Sequence, residues 1–438
     1  MSPELLVWLV TAALCLALAT QPLWASRIDT VLWRWYLVGF PLAVLRVRVT
    51  WRKLCQTTDL AVARRPGDLL IGGDTLVKGS PLRPIPPSLG PILPTPNGFT
   101  ARIRLHPGQT PAQVVALADH FAHAWRVHSV RVVSPERGHV VVVATAHDPL
   151  SDDSRALLPA RRPRPMTARI GKAASGPWEI DFRQVPHWLI VGATRSGKSN
   201  WLAALVVELA PQQVALVGID CKGGMELSIV APRLSALAIS RREAAQVLSA
   251  LLVEAEGRMR QCRQAGARSI WELPDEERPV PVAVLVDEIA ELYLTDGSRE
   301  TKSEAAECST SLLRLGQLGA ALGIHLVIAG QRFGSELGHG ATALRAQLGG
   351  RVCHRVHDEA SAEMALGDLS PDAVCVAQQI TEGEQGVAVT TVGGHWVRAR
   401  STLTTPAEAR QAAEEHAHRA PTLKVLGHSA TEGGEARE

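Results

Sequence analysis

The eight residues from Gly192 to Ser199 constrain this chain more than any other feature, because they read G-x-x-x-x-G-K-S. A short apolar stretch precedes them, and apolar residues at helical spacing follow. A strand, a glycine-rich turn and a helix N-terminus together form a phosphate-binding loop, whose backbone N–H groups point at phosphate oxygens. The pattern therefore predicts a nucleoside triphosphate site.

The motif also assigns roles to single residues. Lys198 is predicted to reach the β- and γ-phosphates, and the Ser199 hydroxyl is predicted to bind Mg²⁺. We therefore expect ATP and Mg²⁺ as cofactors. The predicted nucleotide-binding residues are Gly192, Ala193, Thr194, Arg195, Ser196, Gly197, Lys198, Ser199 and Asn200.

Two further apolar stretches end in polar residues that would complete a hydrolytic site. The first ends in Asp287 and Glu288, and the second is followed by Gln331. Asp287 is predicted to hold Mg²⁺, and Glu288 to orient and deprotonate the attacking water. The Gln331 amide is predicted to sense the γ-phosphate. With Lys198, these residues form the predicted catalytic centre.

Strand and helix patterns alternate between residues 180 and 400, which predicts an α/β domain with a parallel sheet. We place this motor domain at residues 167–405, after a linker at 149–166. The predicted helix spans 244–259. The predicted strands span 188–191, 214–219, 280–286, 324–329 and 386–392.

The N-terminal region is unusually apolar. Two runs, Leu5–Ala19 and Val31–Leu45, predict a membrane anchor of one or two transmembrane helices within residues 1–55. One span plus an interfacial segment is an alternative, and a cleaved signal peptide is another. Basic residues follow the second run, so the positive-inside rule predicts a cytoplasmic motor.

The remaining segments are less informative. Residues 56–97 are basic and then proline-rich, which predicts a linker, and 98–148 predict a small α+β domain. Residues 406–438 predict a polar, disordered tail.

The seven cysteines are scattered, which favours free thiols. A net charge of +3 is small, so any nucleic-acid surface must be local.

Four segments taken together resemble the FtsK/SpoIIIE family of DNA-pumping ATPases. They are the phosphate loop with its strand, Ile219-Asp-Cys-Lys-Gly, Leu285-Val-Asp-Glu, and the stretch from Ala321 to Arg332. The similarity extends over residues 98–400. It implies a RecA-like motor that assembles as a homo-hexameric ring around double-stranded DNA.

The resemblance also implies further site residues. Arg345 falls where the family places a lysine that contacts the DNA backbone, and Arg351 falls on an arginine suited to stabilising the transition state across a subunit boundary. Asp220 and Lys222 match a segment beside the nucleotide. Arg195 departs from the family, because it replaces a usual glycine.

The short anchored chain, in which only 38 residues follow Arg400, is most similar to TraB-type conjugal plasmid-transfer proteins of mycelial actinobacteria. This implies movement of plasmid DNA at the cell membrane, with a separate sequence-recognition or transfer protein as a further candidate partner. Alternatives are a chromosome-segregation translocase, a type VII-like protein-secretion ATPase and a membrane scaffold that binds nucleotide without hydrolysing it.

Overall fold

The computed structural model describes residues 35–63, 84–95, 98–146, 148, 150, 164–173, 176–367, 369–392 and 395–427. The chain divides into two compact units, Met1–Pro149 and Leu150–Glu438. The Leu5–Ala19 run and the start of the Val31–Leu45 run lie outside the described residues.

The first unit is a four-stranded antiparallel sheet covered by helices, in the strand order β3-β4-β6-β5. A separate pair of two-residue strands, β1 and β2, precedes this sheet. The elements are α1 (Phe40–Thr57), β1 (Val62–Ala63), β2 (Pro84–Ile85), β3 (Ser88–Thr95), β4 (Gly98–Arg104), α2 (Pro111–Val115), α3 (Ala118–Trp125), β5 (Ser129–Glu136) and β6 (His139–Thr145).

Part of the proline-rich segment that was predicted as a linker is strand β3. It pairs with β4 alone, so it is an edge strand of the sheet. Proline lacks an N–H and is accepted in sheets mainly at such edges, where a missing donor breaks no ladder bond. Pro91 and Pro94 lie within β3, so the proline content that suggested a linker is compatible with a strand here.

Helix α1 covers residues that were predicted to belong to the membrane anchor. Ala43, Val47, Trp51 and Cys55 recur at four-residue spacing and are buried in the core of the first unit. The Trp51 ring lies 6.0 Å from the ring of Phe121 and 6.5 Å from that of Trp125. One face of α1 is therefore part of the small domain. No helix among the described residues is long and apolar enough to cross a bilayer, and the predicted hairpin is not confirmed.

The second unit is built around one ten-stranded mixed sheet with helices packed on it. Its strands are β7 (Thr167–Ala173), β8 (Gly176–Asp181), β9 (Trp188–Val191), β10 (Ala215–Ile219), β11 (Ala236–Ala238), β12 (Val282–Val286), β13 (Ile324–Gly330), β14 (Gly350–His354), β15 (Val387–Val392) and β16 (His395–Ser401). Its α-helices are α4 (Lys198–Leu209), α5 (Arg241–Gln264), α6 (Ala290–Tyr293), α7 (Arg299–Leu322), α8 (Ala341–Gln347), α9 (Glu359–Leu366), α10 (Pro371–Gln378), α11 (Pro406–Glu415) and α12 (Lys424–Gly427).

The strand order is β11-β10-β12-β13-β9-β14-β15-β16-β7-β8. Strands β11 to β14 in this order are parallel, as predicted. The prediction of a wholly parallel sheet is wrong from β15 onwards, because β15, β16, β7 and β8 pair antiparallel. Two short helices, α9 and α10, join β14 to β15. Strand β15 begins at the sheet edge where β14 ends and therefore runs in the opposite direction.

The predicted tail is also partly folded. Helix α11 begins with a capping box between Thr405 and Glu408, and its Ala409 and Ala413 are buried four residues apart. Both alanines belong to a core that includes residues of α4. The polar composition did not reveal this helix, because its buried face consists only of small residues.

Candidate functional site

The predicted catalytic residues follow three neighbouring parallel strands. The phosphate loop follows β9, the acidic pair follows β12, and Gln331 follows β13, which lies between them. Because the carboxyl ends of parallel strands meet at one sheet edge, this order brings Lys198, Asp287, Glu288 and Gln331 into one site.

The phosphate loop takes the backbone shape that its glycines were predicted to allow. Gly197 has φ +119° and leads directly into α4. Arg195, which stands where the family usually has glycine, has φ +61°. A non-glycine residue in this left-handed region costs about 1 kcal/mol, so the arginine adopts this backbone conformation at an energetic cost.

The loop is held by neighbours that sequence reasoning did not identify. The Ala193 N–H donates to the Arg355 carbonyl at 2.8 Å, and the Gly386 N–H donates to the Ser196 carbonyl at 3.0 Å. His354, fully buried at the end of β14, shares a hydrogen bond of 3.0 Å between its Nδ1 and the Val387 carbonyl. Burial lowers the pKa of His354 to about 4, so a neutral imidazole packs beneath the loop.

Lys198 lies within the cradle that it was predicted to complete. Its Nζ donates to the Gly192 carbonyl at 2.5 Å and to the Ala193 carbonyl at 3.3 Å. Burial lowers the pKa of Lys198, while the nearby Glu288 and Asp287 carboxylates act in the opposite direction. The ammonium group is thus in electrostatic reach of both members of the acidic pair.

Asp287 lies in a strongly acidic and dry environment. It is 6% exposed, and burial, followed by the charges of Asp220 and Glu226, raises its pKa to about 6. The Asp220 carboxylate accepts N–H groups of Lys222, Glu226 and Leu227, which fixes the loop after β10. Hard oxygen ligands with excess negative charge are what Mg²⁺ prefers, so this environment fits a divalent cation.

Glu288 is held from two sides. Its Oε1 accepts the Gln331 N–H at 3.3 Å, and its Oε2 lies 3.6 Å from the Lys222 ammonium. The carboxylate is 8% exposed. A buried carboxylate that is fixed in direction beside a phosphate loop is suited to orient a water molecule. Gln331 therefore acts on Glu288 through its backbone, whereas its side chain is exposed.

Removing the Asp287 charge should stabilise the protein while removing activity. The folded-state pKa of about 6 exceeds the ordinary 3.8. The stability contribution of Asp287 is therefore fully present below about pH 4 and is lost as the pH rises through about 6. Asp287→Asn should raise the free energy of unfolding at pH 8 by on the order of 2–3 kcal/mol. Denaturation in EDTA without nucleotide, at pH 4 and pH 8, measures this.

The control for this experiment is Asp296→Asn, an exposed carboxylate whose hydrogen bonds with Thr301 and Ser298 lower its pKa to about 2. This variant should not gain stability at pH 8. An equal gain for Asp287→Asn at both pH values would contradict the assignment of the effect to the buried charge.

The side chain of Asn200, which is predicted as a nucleotide-binding residue, contacts the segment at the end of β16. Its amide donates to the Ser401 hydroxyl and the Thr402 carbonyl, both at 2.9 Å, and its oxygen accepts the Thr404 N–H at 2.8 Å. These bonds engage both ends of the side chain. Asn200 thus ties the first turn of α4 to the segment after β16.

Arg345 and Arg351 lie apart from the phosphate loop. Arg351 is on β14, where it pairs with Leu189 of β9 upstream of the phosphate loop, and is 6% exposed. Its Nη2 donates to the Arg345 carbonyl at 3.2 Å, and Arg345 Nη1 donates to the Phe333 carbonyl at 3.3 Å. The two arginines thus form one hydrogen-bonded group with the segment that follows β13.

Two family models match this chain. Residues 23–146 match the actinomycete conjugal transfer protein N-terminal domain, and residues 158–335 match the FtsK/SpoIIIE family. The transfer protein TraSA of Streptomyces ambofaciens is 45% identical over 356 residues, which cover 78% of this chain and 85% of that protein.

The chain belongs to the FtsK/SpoIIIE family. Another family relative, a DNA translocase FtsK of Treponema pallidum, is 29% identical over 61% of this chain and 35% of its own. The structure of the pCW3 conjugation coupling protein TcpA, a monomer with ATPγS, covers 83% of this chain and 98% of its own. Its TM-score of 0.53 at 18% identity shows a shared P-loop ATPase fold. The predicted family is therefore confirmed.

Proposed function

We propose that this FtsK/SpoIIIE family member hydrolyses ATP to move double-stranded DNA during conjugal transfer. The observation that carries the proposal is the convergence of Lys198, Asp287 and Glu288 at one sheet edge in a chain that is 45% identical to a transfer protein. When bound, Mg²⁺ would supply charge neutralisation at the phosphates, with Ser199 and Asp287 as its protein ligands. Glu288 takes the proton of the attacking water.

The decisive experiment is ATPase activity of the full chain with double-stranded, single-stranded and no DNA. We expect hydrolysis without DNA and a several-fold stimulation by double-stranded DNA of unrelated sequences. A protein-secretion ATPase would not respond to DNA, and a scaffold would bind ATP without turnover. Either result would overturn the proposal.

We also propose a RecA-like ring, as the family resemblance implies, with a membrane attachment through Leu5–Ala19. The six parallel strands with β9 between β13 and β14 support the RecA-like motor. A ring would let Arg351 act on a neighbouring subunit, although its side chain would have to leave its buried position. Sedimentation with ATP tests the ring, and external labelling of a reporter at residue 70 in intact cells tests the cytoplasmic orientation.

Arg345→Ala should weaken the response to DNA. A phosphate contact releases counterions, so its loss should lower DNA stimulation several-fold and reduce the slope of binding against salt by about one per lost contact. The measurement is ATPase rate against DNA concentration at several salt concentrations, expressed relative to the rate without DNA. The control is Arg314→Ala, an exposed arginine on α7. Equal salt slopes for both variants would show that Arg345 does not contact DNA.

A further inference from the structure

Helix α1 and the helical turn that precedes it, Trp35–Gly39, carry a second apolar face whose side chains are exposed. Val38, Leu42, Leu45 and Val49 are 54%, 46%, 59% and 69% exposed, and Leu37 is 51% exposed. Residues 38, 42, 45 and 49 follow the spacing of one helical face. The opposite face, with Ala43, Val47 and Trp51, is buried in the small domain. We call the five exposed residues the α1 stripe.

Basic residues border the α1 stripe on both sides. Arg48 and Arg52 lie four residues apart along one edge, and Arg46 and Lys53 lie seven apart along the other, which is about two helical turns. All four are exposed. The sequence contains no Asp or Glu between Asp29 and Asp59. The outer surface of α1 is thus an apolar strip between two rows of positive charge.

We propose that the α1 stripe lies on the surface of an anionic membrane. An interfacial helix buries its apolar face at the boundary of headgroups and acyl chains, while Lys and Arg extend toward the headgroups. The arrangement of α1 meets both requirements, and its inner face fixes the small domain to that surface. Because α1 carries four cations, it lies along the membrane and does not cross it.

The positive charge beside the α1 stripe favours an anionic membrane over two other partners, a second copy of the chain and the Leu5–Ala19 run. A second copy of the chain would bring its own four cations against the same four, which disfavours a self-complementary contact. The N-terminal run Leu5–Ala19 contains no charged residue, and Glu4 is the only acidic residue before Asp29. Covering the stripe with that run would leave the cations unmatched, whereas anionic headgroups would pair with them.

This inference goes beyond DNA movement, and its test does not depend on ATPase activity. The full chain carrying Leu45→Cys and Cys375→Ser is reconstituted in neutral phosphatidylcholine vesicles or in vesicles with added phosphatidylglycerol. Alkylation of residue 45 by a water-soluble maleimide is followed by mass spectrometry of its peptide. The control is Val115→Cys on α2, which is 51% exposed against 59% for Leu45.

We expect alkylation at residue 45 to be about tenfold slower on anionic than on neutral vesicles, and the rate at 115 to be the same on both. Changing Arg46, Arg48, Arg52 and Lys53 to Gln should remove the difference, because each basic residue near an anionic surface contributes about fivefold in affinity. Thermal unfolding followed by circular dichroism reports whether the variants remain folded.

Three results would overturn the proposal. Fast alkylation on both lipids means that the stripe stays in water. Slow alkylation on both lipids means that another part of the chain covers it or that lipid charge is irrelevant. Slowing that varies with the ratio of protein to lipid means that a second copy covers it.

Discussion

Glu288→Gln is expected to bind ATP as the parent chain does and to hydrolyse it at least about a hundredfold more slowly, the usual contribution of a general base. The glutamine oxygen can still accept the Gln331 N–H that Glu288 Oε1 accepts at 3.3 Å. This backbone contact is therefore preserved, while the proton acceptor and the negative charge that faces Lys222 are lost. Binding of a fluorescent ATP analogue and steady-state turnover measure the two effects separately.

Lys198→Ala completes this comparison, because it should abolish ATP binding itself. The matched control is Glu291→Gln on α6, which makes the same change three residues further along the chain. Its turnover should equal that of the parent. Normal turnover by Glu288→Gln would exclude Glu288 as the base, and normal binding by Lys198→Ala would exclude the phosphate loop as the ATP site.

Gly197→Ala is expected to reduce ATP affinity by about a hundredfold or more, because the added Cβ cannot be accommodated without moving the loop. At φ +119° this atom would lie 2.7 Å from both the Cα and the N of Gly386, which are backbone atoms. The loop would have to shift, and its N–H groups would no longer converge on the phosphates. Isothermal titration with ATP and Mg²⁺ measures the loss.

Gly386→Ala is the matched comparison, since it alters the other member of the same contact. Its Cβ would meet the movable Ser401 hydroxyl at 3.0 Å, with φ +80°. We expect a stability loss of about 1–2 kcal/mol and a much smaller effect on ATP affinity. If Gly197→Ala bound ATP as tightly as Gly386→Ala, close packing of these two glycines would not shape the cradle.

Sequence reasoning identified the residues that carry local signals. The phosphate loop lies between β9 and α4, and the acidic pair follows β12, because each motif includes its own flanking strand. The contacts that hold the loop could not be predicted in the same way. Gly386 and His354 reach it only because β14 pairs with β9 and β15 pairs with β14, and no short motif encodes that arrangement.

Composition alone was a poor guide to two segments. The prolines of β3 predict a linker, although an edge strand tolerates them. The apolar run before Arg46 predicts a membrane span, which the structure does not confirm; one face of α1 is buried in the small domain and the opposite face is exposed. Tertiary contacts, which composition does not reveal, determine which residues of these segments are buried.

The pairing of β7 with β16 has a mechanical consequence for a motor. The chain enters the second unit at β7, which lies between β16 and β8 inside the sheet. A force applied along β7 loads its hydrogen bonds to β16 and β8 in shear, because those bonds lie perpendicular to the strands. From β16 the force passes through Ser401 and Thr402 to Asn200, in the first turn of α4. Strand β7 is thus mechanically coupled to the helix that follows the phosphate loop.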